Sequence, residues 1–217
     1  MEFPEITDRE KVLKKIRAAL IQKNPKPAPP VNTTVDVFAS STEPLDIRFA
    51  QALLAVKGHF VFCVNETEFL QHLAGLIEQN QWSSVFCWET MLQVTLDKFG
   101  IRYFPDDKQL IKVEAGVTLC EALIARTGSV LVSSKQSAGR RLTIFPPVHI
   151  VVAYINQLVE DIDDALNLMK EKYKQQFPSM LSIVTGPSRT ADIEKTLVLG
   201  AHGPKELYVY LIDERRG

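Results

Sequence analysis

A run of polar residues at positions 185–194 has the residue types best suited to ligand binding. It follows the apolar segment Leu181–Val184, which is typical of a buried strand. Gly186 allows a ligand to approach the backbone closely, and the guanidinium of Arg189 offers a planar set of donors for a carboxylate or phosphate. Ligands of open α/β sheets bind beyond the carboxyl ends of strands. We therefore expect a small organic acid or phosphate-type anion to bind at this loop.

The same run also has a purely structural interpretation. A tight turn would lead into a helix capped by Thr190, with Asp192 and Glu194 in its first turn, where acidic side chains favour the helix dipole. In the ligand-binding interpretation, Ser188 and Thr190 supply hydroxyl groups instead. The sequence leaves both interpretations open.

A second candidate segment follows at residues 200–204, where glycines flank His202 and Pro204 precedes the last apolar run. An imidazole has a reference pKa near neutrality, so His202 could act as an acid, a base or a metal ligand, or it could be an ordinary loop histidine. Together the predicted ligand-binding residues are Gly186, Ser188, Arg189, Thr190, Asp192, Glu194, His202, Gly203, Arg141 and Thr127. We assign no catalytic residue among them.

Metal and dinucleotide sites are not indicated. The three cysteines, Cys63, Cys87 and Cys120, are far apart and form no Cys-x-x-Cys pair, so a self-contained iron–sulfur cluster is excluded and no disulfide framework is expected. The four histidines are scattered, and none forms an i, i+4 pair with another. Glycine-rich dinucleotide and phosphate loops are absent, as are the common zinc-hydrolase and serine-hydrolase motifs.

Composition sets further bounds on the kind of partner. The 217 residues carry a formal net charge of -1, which gives no overall attraction for nucleic acid or an anionic membrane surface. No apolar stretch approaches the length of a membrane span, and residues 1–10 contain no apolar leader segment. We expect a cytoplasmic protein that binds neither nucleic acid nor membrane.

The pattern of elements predicts three regions. Thr7 and Glu10 form a capping box before an amphipathic helix within residues 1–23, and a proline-rich linker follows over residues 24–37. Residues 38–217 alternate helical patterns with short apolar strands, which predicts a mostly parallel, doubly wound α/β domain. Within it, Thr118 and Glu121 suggest a capped short helix, and the polar stretch 134–141 suggests a hairpin-like excursion.

Three segments carry a resemblance to a known family. They are residues 140–143, residues 146–152 (Pro-Pro-Val-His-Ile-Val-Val) and the long run 185–204. Together they resemble the lactate-utilisation protein C family, whose members contain the LUD domain. One position departs from the family pattern: this chain has Arg126 before Thr127, where family members often carry an acidic residue.

The resemblance implies the fold of sugar-phosphate isomerases and coenzyme A transferases, a parallel α/β sheet with an added β-excursion. It also implies an accessory subunit that works with the iron–sulfur proteins A and B in oxidising L-lactate to pyruvate. Any iron–sulfur clusters would then reside in the partner subunits, with no cofactor in this chain. The alternatives are an independent enzyme or binding protein acting on a phosphorylated sugar, nucleotide or acyl thioester, and an assembly factor that uses the N-terminal helix.

Overall fold

The structure is a computed structural model that describes residues 7–21, 41–106, 114–138, 141–193, 196–199 and 203–216. It divides into two units, residues 1–42 and residues 43–217. The helices are α1 (Asp8–Ile21), α2 (Leu45–Ala55), α3 (Glu66–Gln79), α4 (Thr90–Lys98) and α5 (Ile162–Tyr173). The strands are β1 (His59–Cys63), β2 (Val85–Cys87), β3 (Tyr103–Phe104), β4 (Ala115–Leu119), β5 (Ala122–Ile124), β6 (Ser129–Ser133), β7 (Val148–Tyr154), β8 (Leu158–Val159), β9 (Leu181–Val184), β10 (Arg189–Ile193), β11 (Thr196–Leu199) and β12 (Glu206–Ile212).

In the first unit, α1 begins at the predicted capping box. The Thr7 amide donates to Glu10 Oε2 over 3.2 Å, and the Glu10 amide donates to Thr7 Oγ1 over 3.4 Å. Its apolar side chains Val12 and Ile16 are about half exposed, at 56% and 49%. Among the described helices, none is both long enough and apolar enough to cross a membrane.

The second unit is built on a six-stranded parallel sheet in the order β1-β12-β7-β4-β2-β3. Buried side chains of α3 and α4, such as Leu73 and Leu96, pack on one face of this sheet. Phe49 and Leu53 of α2 pack on the other face. Because parallel strands are buried on both faces, they read as continuous apolar runs. The predicted mostly parallel α/β fold, with helices on both faces, is confirmed.

A second, mixed sheet of four strands, β8-β5-β6-β9, also lies on the α2 side of the parallel sheet. β6 pairs antiparallel with both β5 and β9, and β5 pairs parallel with β8. Ala165 and Met169 of α5 pack against Ala122, Ile124 and Leu131 of this small sheet. The arrangement brings the C-terminal end of α5 close to the end of β4.

Two sequence predictions about local structure are wrong. Thr118 and Glu121 do not cap a helix: Thr118 lies in β4, and Glu121 connects β4 to β5, with its amide donating to the Leu131 carbonyl over 2.8 Å. Residues 189–193 form β10, paired antiparallel with β11, where a capped helix was the structural alternative. In both places the polar side chains are of types that cap helices, but pairing with neighbouring strands gives the backbone an extended conformation.

Candidate functional site

The structure brings part of the predicted polar loop together at the end of α2. The Ser188 amide donates to the Pro204 carbonyl over 2.8 Å, and a Cβ added at Gly203 would lie 3.2 Å from Ser188 Cβ. The Arg189 guanidinium donates to the Val56 carbonyl, just beyond the last turn of α2. A cation at the carbonyl end of a helix is stabilising, so this contact serves the packing of α2.

Gly186 and Thr127 join the same region. Gly186 has φ +74°, and a Cβ there would lie 2.6 Å from the Val56 carbonyl oxygen, so only glycine fits without a shift. The hydroxyl of Thr127 lies 2.7 Å from that of Ser129, which lies 2.8 Å from that of Thr185. This chain of three hydroxyls connects the start of β6 to the end of β9.

The remaining predicted residues are placed less completely. Arg141 is exposed and begins a turn, with its amide donating to the Ala138 carbonyl over 3.3 Å. Thr190 and Asp192 belong to β10, and their own side chains are outside the description. Glu194 and His202 lie outside the described residues. Their role in ligand binding stays a prediction.

The polar loop does not lie where the sequence argument expected. β9 belongs to the smaller sheet, where it runs antiparallel to β6, and is not a strand of the parallel sheet. The contact of Ser188 with Pro204 instead places the loop just before β12, at the amino end of that parallel strand. A different group of residues therefore occupies the edge where ligands of open α/β sheets bind.

That edge carries a cleft of about 400 Å³, which we call the carboxyl-edge cleft. It lies beyond the ends of three adjacent parallel strands, β7, β4 and β2. Its charged and phenolic lining residues are Glu89, Glu121, Lys135, Tyr154, Lys172 and Tyr173. A wider depression of about 730 Å³ lies beside β3. The carboxyl-edge cleft is the better candidate site because its polar side chains converge at the edge where ligands of open α/β sheets bind.

Glu121 is the centre of a hydrogen-bond network in this cleft. Only 2% of the residue is exposed, and its carboxylate accepts from Ser133 Oγ at 2.6 Å, Lys172 Nζ at 2.7 Å and Tyr173 OH at 2.8 Å. Burial, the largest single influence, tends to lower the pKa of Lys172, but the hydrogen bond and charge of Glu121, together with Tyr173, leave that pKa raised. Burial and the same carboxylate raise the pKa of Tyr173. The network holds α5 to the end of β4 with every charge paired.

Glu89 is a contrasting carboxylate in the same cleft. It lies two residues after β2, at the N-terminus of α4, and is 6% exposed. Neither of its carboxyl oxygens has a hydrogen-bond partner among the described residues. Burial raises the pKa of Glu89 to about 7, although nearby backbone amides, first that of Ala138, oppose the shift. Glu89 can therefore exchange a proton at neutral pH, as acid–base groups in active sites do.

The wall formed by the end of β7 is fixed by its own hydrogen bonds. Tyr154 OH donates to Glu66 Oε1 over 2.8 Å, and the Tyr154 amide donates to Gln157 Oε1 over 2.8 Å. Gln157 Nε2 in turn donates to the Cys120 carbonyl over 2.6 Å. These bonds tie the ends of β7 and β4 together, so the cleft is preformed.

The three thiols do not resemble metal ligands. Burial raises the pKa of Cys63 and of Cys87 to about 12, and it raises that of Cys120. A metal ligand must be a thiolate, and burial in apolar surroundings opposes that state. Within the described ranges, no group of three or more histidine, cysteine, aspartate or glutamate side chains is placed to hold a metal ion.

Comparison with known families identifies the larger part of the second unit. The family model described as the LUD domain matches residues 104–212. The chain belongs to the LUD domain family. This LUD segment contains Glu121, Lys135, Tyr154, Lys172 and Tyr173 of the cleft, whereas Glu89 precedes it.

Several bacterial relatives of this LUD protein carry the name lactate utilization protein C. The relative from Bacillus licheniformis is 33% identical over 102 residues, which are 46% of this chain and 42% of the relative. The relative from Geobacillus thermodenitrificans is 24% identical over 181 residues, covering 82% of this chain and 73% of the relative. The matched stretch spans less than half of the length of the Bacillus licheniformis protein.

A solved LUD-like structure supports the fold. The crystal structure of a DUF162 family protein from Deinococcus radiodurans superposes with a TM-score of 0.59 at 18% identity, over 77% of this chain and 96% of that protein. At this identity the likeness concerns the fold alone.

Arg126 has a structural role at the start of α5. Its guanidinium donates twice to Asp161, from Nε over 2.8 Å and from Nη2 over 2.6 Å. Asp161 is the N-cap of α5, and its side chain also accepts from the Ile162 amide. Arg126 therefore fixes the start of the helix that carries Lys172 and Tyr173.

Sequence reasoning missed the main groups of the cleft. Glu121 was interpreted as a helix-capping residue, and Glu89, Lys172 and Tyr173 were not singled out. A usable signal was present: Glu89 and Glu121 each come within two residues of the end of an apolar parallel strand. Carboxylates at that position in two adjacent strands of a parallel LUD sheet are expected to face one edge.

Proposed function

We propose that this chain is a subunit of a bacterial lactate-utilisation system, in which it acts with the iron–sulfur proteins A and B to oxidise L-lactate to pyruvate in the cytoplasm. The observation that carries the proposal is the likeness to proteins named lactate utilization protein C, from Bacillus licheniformis, Bacillus subtilis and Geobacillus thermodenitrificans. It is strengthened by the LUD domain match over residues 104–212.

The chemistry of the chain supports a division of labour between subunits. Its three buried thiols have raised pKa values and so favour the protonated state, which does not bind a cluster. Electron transfer is therefore assigned to clusters in the partner proteins. The contribution of this chain is the carboxyl-edge cleft, which offers two lysines and a buried carboxyl group to a small organic acid.

A pull-down from cells grown on L-lactate tests the proposal. The tagged chain should recover iron–sulfur proteins, identified by mass spectrometry and by visible absorbance of the eluate. Deletion of the gene should abolish growth on L-lactate and leave growth on glucose unchanged. Recovery of the chain alone, together with normal growth of the deletion strain on L-lactate, would contradict the proposed role.

A second candidate function has one observation in its favour. The cleft is formed entirely within this chain and contains a carboxyl group that titrates near neutral pH, as an independent enzyme would require. An independent enzyme acting on a phosphorylated sugar, nucleotide or acyl thioester would turn over its substrate without partners. Screening the purified chain with these three classes of compound distinguishes it from a subunit of a larger complex.

A further inference from the structure

The carboxyl group of Glu89 is buried in the carboxyl-edge cleft without a hydrogen-bond partner among the described residues, and a bound ligand would supply one. Only 6% of the residue is exposed, and neither carboxyl oxygen makes a hydrogen bond in the described part of the chain, although the backbone amides of Ala138 and Leu119 lie near the carboxyl group. A buried polar group without a hydrogen-bond partner costs about 1–3 kcal/mol, and more when it is charged. Glu121, in the same cleft, shows the contrasting case of a carboxylate with three donors.

The charges around the cleft favour a single negative charge on the ligand. Lys135 is exposed at the rim, and Lys172 is half exposed and paired with Glu121. With Glu89 protonated, the two lysines and Glu121 leave one net positive charge. With Glu89 ionised, that charge is cancelled. A monoanion is therefore attracted most strongly when Glu89 carries its proton.

We propose that the carboxyl-edge cleft binds a small 2-hydroxy or 2-oxo carboxylate, whose carboxylate lies toward Lys135 and Lys172 and whose C2 oxygen is hydrogen-bonded to the Glu89 carboxyl group. The choice of this class of acid rests on the proposed role in lactate utilisation. The site itself rests on the buried carboxyl group and the two lysines. Both the carboxylate and the C2 oxygen of such an acid then interact with a side chain of the cleft.

The two classes of acid differ in what they require of Glu89. A C2 hydroxyl can donate to an ionised carboxylate or accept from a protonated one, so a 2-hydroxy acid has a partner in either state. A C2 oxo group only accepts, so a 2-oxo acid requires the protonated state. Binding of the oxo acid is consequently coupled to uptake of one proton, and a rise in pH favours the hydroxy acid over the oxo acid.

Other titratable groups of the cleft do not produce this pattern near neutral pH. Burial raises the pKa of Tyr154 and of Cys120 and keeps both protonated. The pKa values of Tyr173 and Lys172 are also raised. Cys87 lies two residues before Glu89, and burial raises its pKa to about 12, with a smaller contribution from the charge of Glu89. The remaining charged lining groups are Glu121 and Lys135.

The test is isothermal titration calorimetry of the full chain with sodium L-lactate and sodium pyruvate at pH 6, 7 and 8. The affinity for pyruvate should fall about tenfold from pH 6 to pH 8, as expected for one proton with a pKa near 7. The affinity for L-lactate should fall by clearly less. Glu89→Gln should make both affinities independent of pH, because the amide cannot exchange the proton. Lys135→Met should weaken both acids about fivefold.

Glu171→Gln is the matched control, because Glu171 is exposed and lies on α5 beside Lys172. It should bind both acids as the wild type does. NMR of the wild-type chain gives a readout that needs no variant, since the side-chain amide signals of Gln136 and Gln157 should shift when either acid is added.

Three results would overturn the inference: neither acid binds the wild type, the ratio of the two affinities is independent of pH, or Glu89→Gln retains the pH dependence. These outcomes are separate from those that test the lactate role. Acid binding with the expected pH pattern supports the site even when the deletion strain grows normally on L-lactate. Absence of binding overturns the site even when that strain fails to grow.

Discussion

Replacing Glu89 by glutamine should make the protein more stable at alkaline pH. The folded-state pKa is about 7, whereas an unfolded glutamate titrates near about 4.3. The folded state therefore binds more protons than the unfolded state between these values, so the stability contributed by the protonated side chain is lost as pH rises through about 7. The difference in pKa corresponds to roughly 3.6 kcal/mol at pH 8. Glutamine avoids this cost, but its own amide group must be buried, which costs about 1 kcal/mol.

We thus expect Glu89→Gln to raise the free energy of unfolding by about 2.5 kcal/mol at pH 8 and to have little or a slightly negative effect at pH 5. Urea unfolding followed by circular dichroism and by fluorescence of Trp82 and Trp88 measures both values. A buried group that lowers stability while the fold tolerates a neutral replacement is typical of a functional site. The reasoning is refuted if the variant is equally or less stable than the wild type at pH 8.

Three further substitutions test contacts inside the second unit. Glu121→Ala should destabilise the fold by about 3 kcal/mol, the lower end for a broken buried ion pair, because the exposed end of Lys172 can regain water. His149→Gln should remove part of the loss of stability at acid pH. Burial lowers the pKa of His149 to about 4, whereas a histidine in the unfolded chain titrates near about 6.5. The unfolded state therefore takes up the proton first, and stability is lost as pH falls from about 6.5 toward 4. Gly128→Ala should cost about 3 kcal/mol, because φ is +61° and a Cβ would lie 2.3 Å from the Leu53 amide nitrogen.

Each of these has a matched control in the same chain. Glu171→Ala, on the exposed side of α5, should change the free energy of unfolding by at most about 0.5 kcal/mol. His72→Gln, on the exposed side of α3, should change the free energy of unfolding at neutral pH by at most about 0.5 kcal/mol. Gly75→Ala should stabilise α3 by about 0.5–1 kcal/mol, because a Cβ there meets nothing within 4 Å. Controls that cost as much as their partners in urea titrations would contradict the assigned contacts.

The fold was accessible from the sequence because its signals are local. The continuous apolar runs at β7 and β12 are typical of strands buried on both faces, and both were predicted. The small sheet was harder to predict. β9 is as apolar as a parallel strand, and only its pairing with β6 shows that it runs antiparallel. Strand direction depends on contacts between distant residues, which a hydrophobic pattern does not encode.

The candidate site was accessible only in part for the same reason. The polar loop stands out by composition, yet Arg189 reaches the end of α2 through a contact between residues 133 positions apart. Glu121 and its partners Lys172 and Tyr173 are separated by 51 and 52 positions. Glu89 belongs to no motif in the sequence, and its burial without a hydrogen-bond partner is visible only in the folded chain. Such groups are identified by their environment, not by spacing.

Complementation of a lactate-utilising strain that lacks its own copy of this gene tests most directly the claim that the Glu89 cleft serves lactate utilisation. The strain receives the wild type, Glu89→Gln or Glu171→Gln, with equal amounts of folded protein verified by immunoblotting and thermal unfolding. We predict that the wild type and Glu171→Gln restore growth on L-lactate and that Glu89→Gln does not, because its amide still binds both acids but cannot take up the proton that accompanies binding of the 2-oxo acid. Growth of the Glu89→Gln strain at the wild-type rate would contradict the claim.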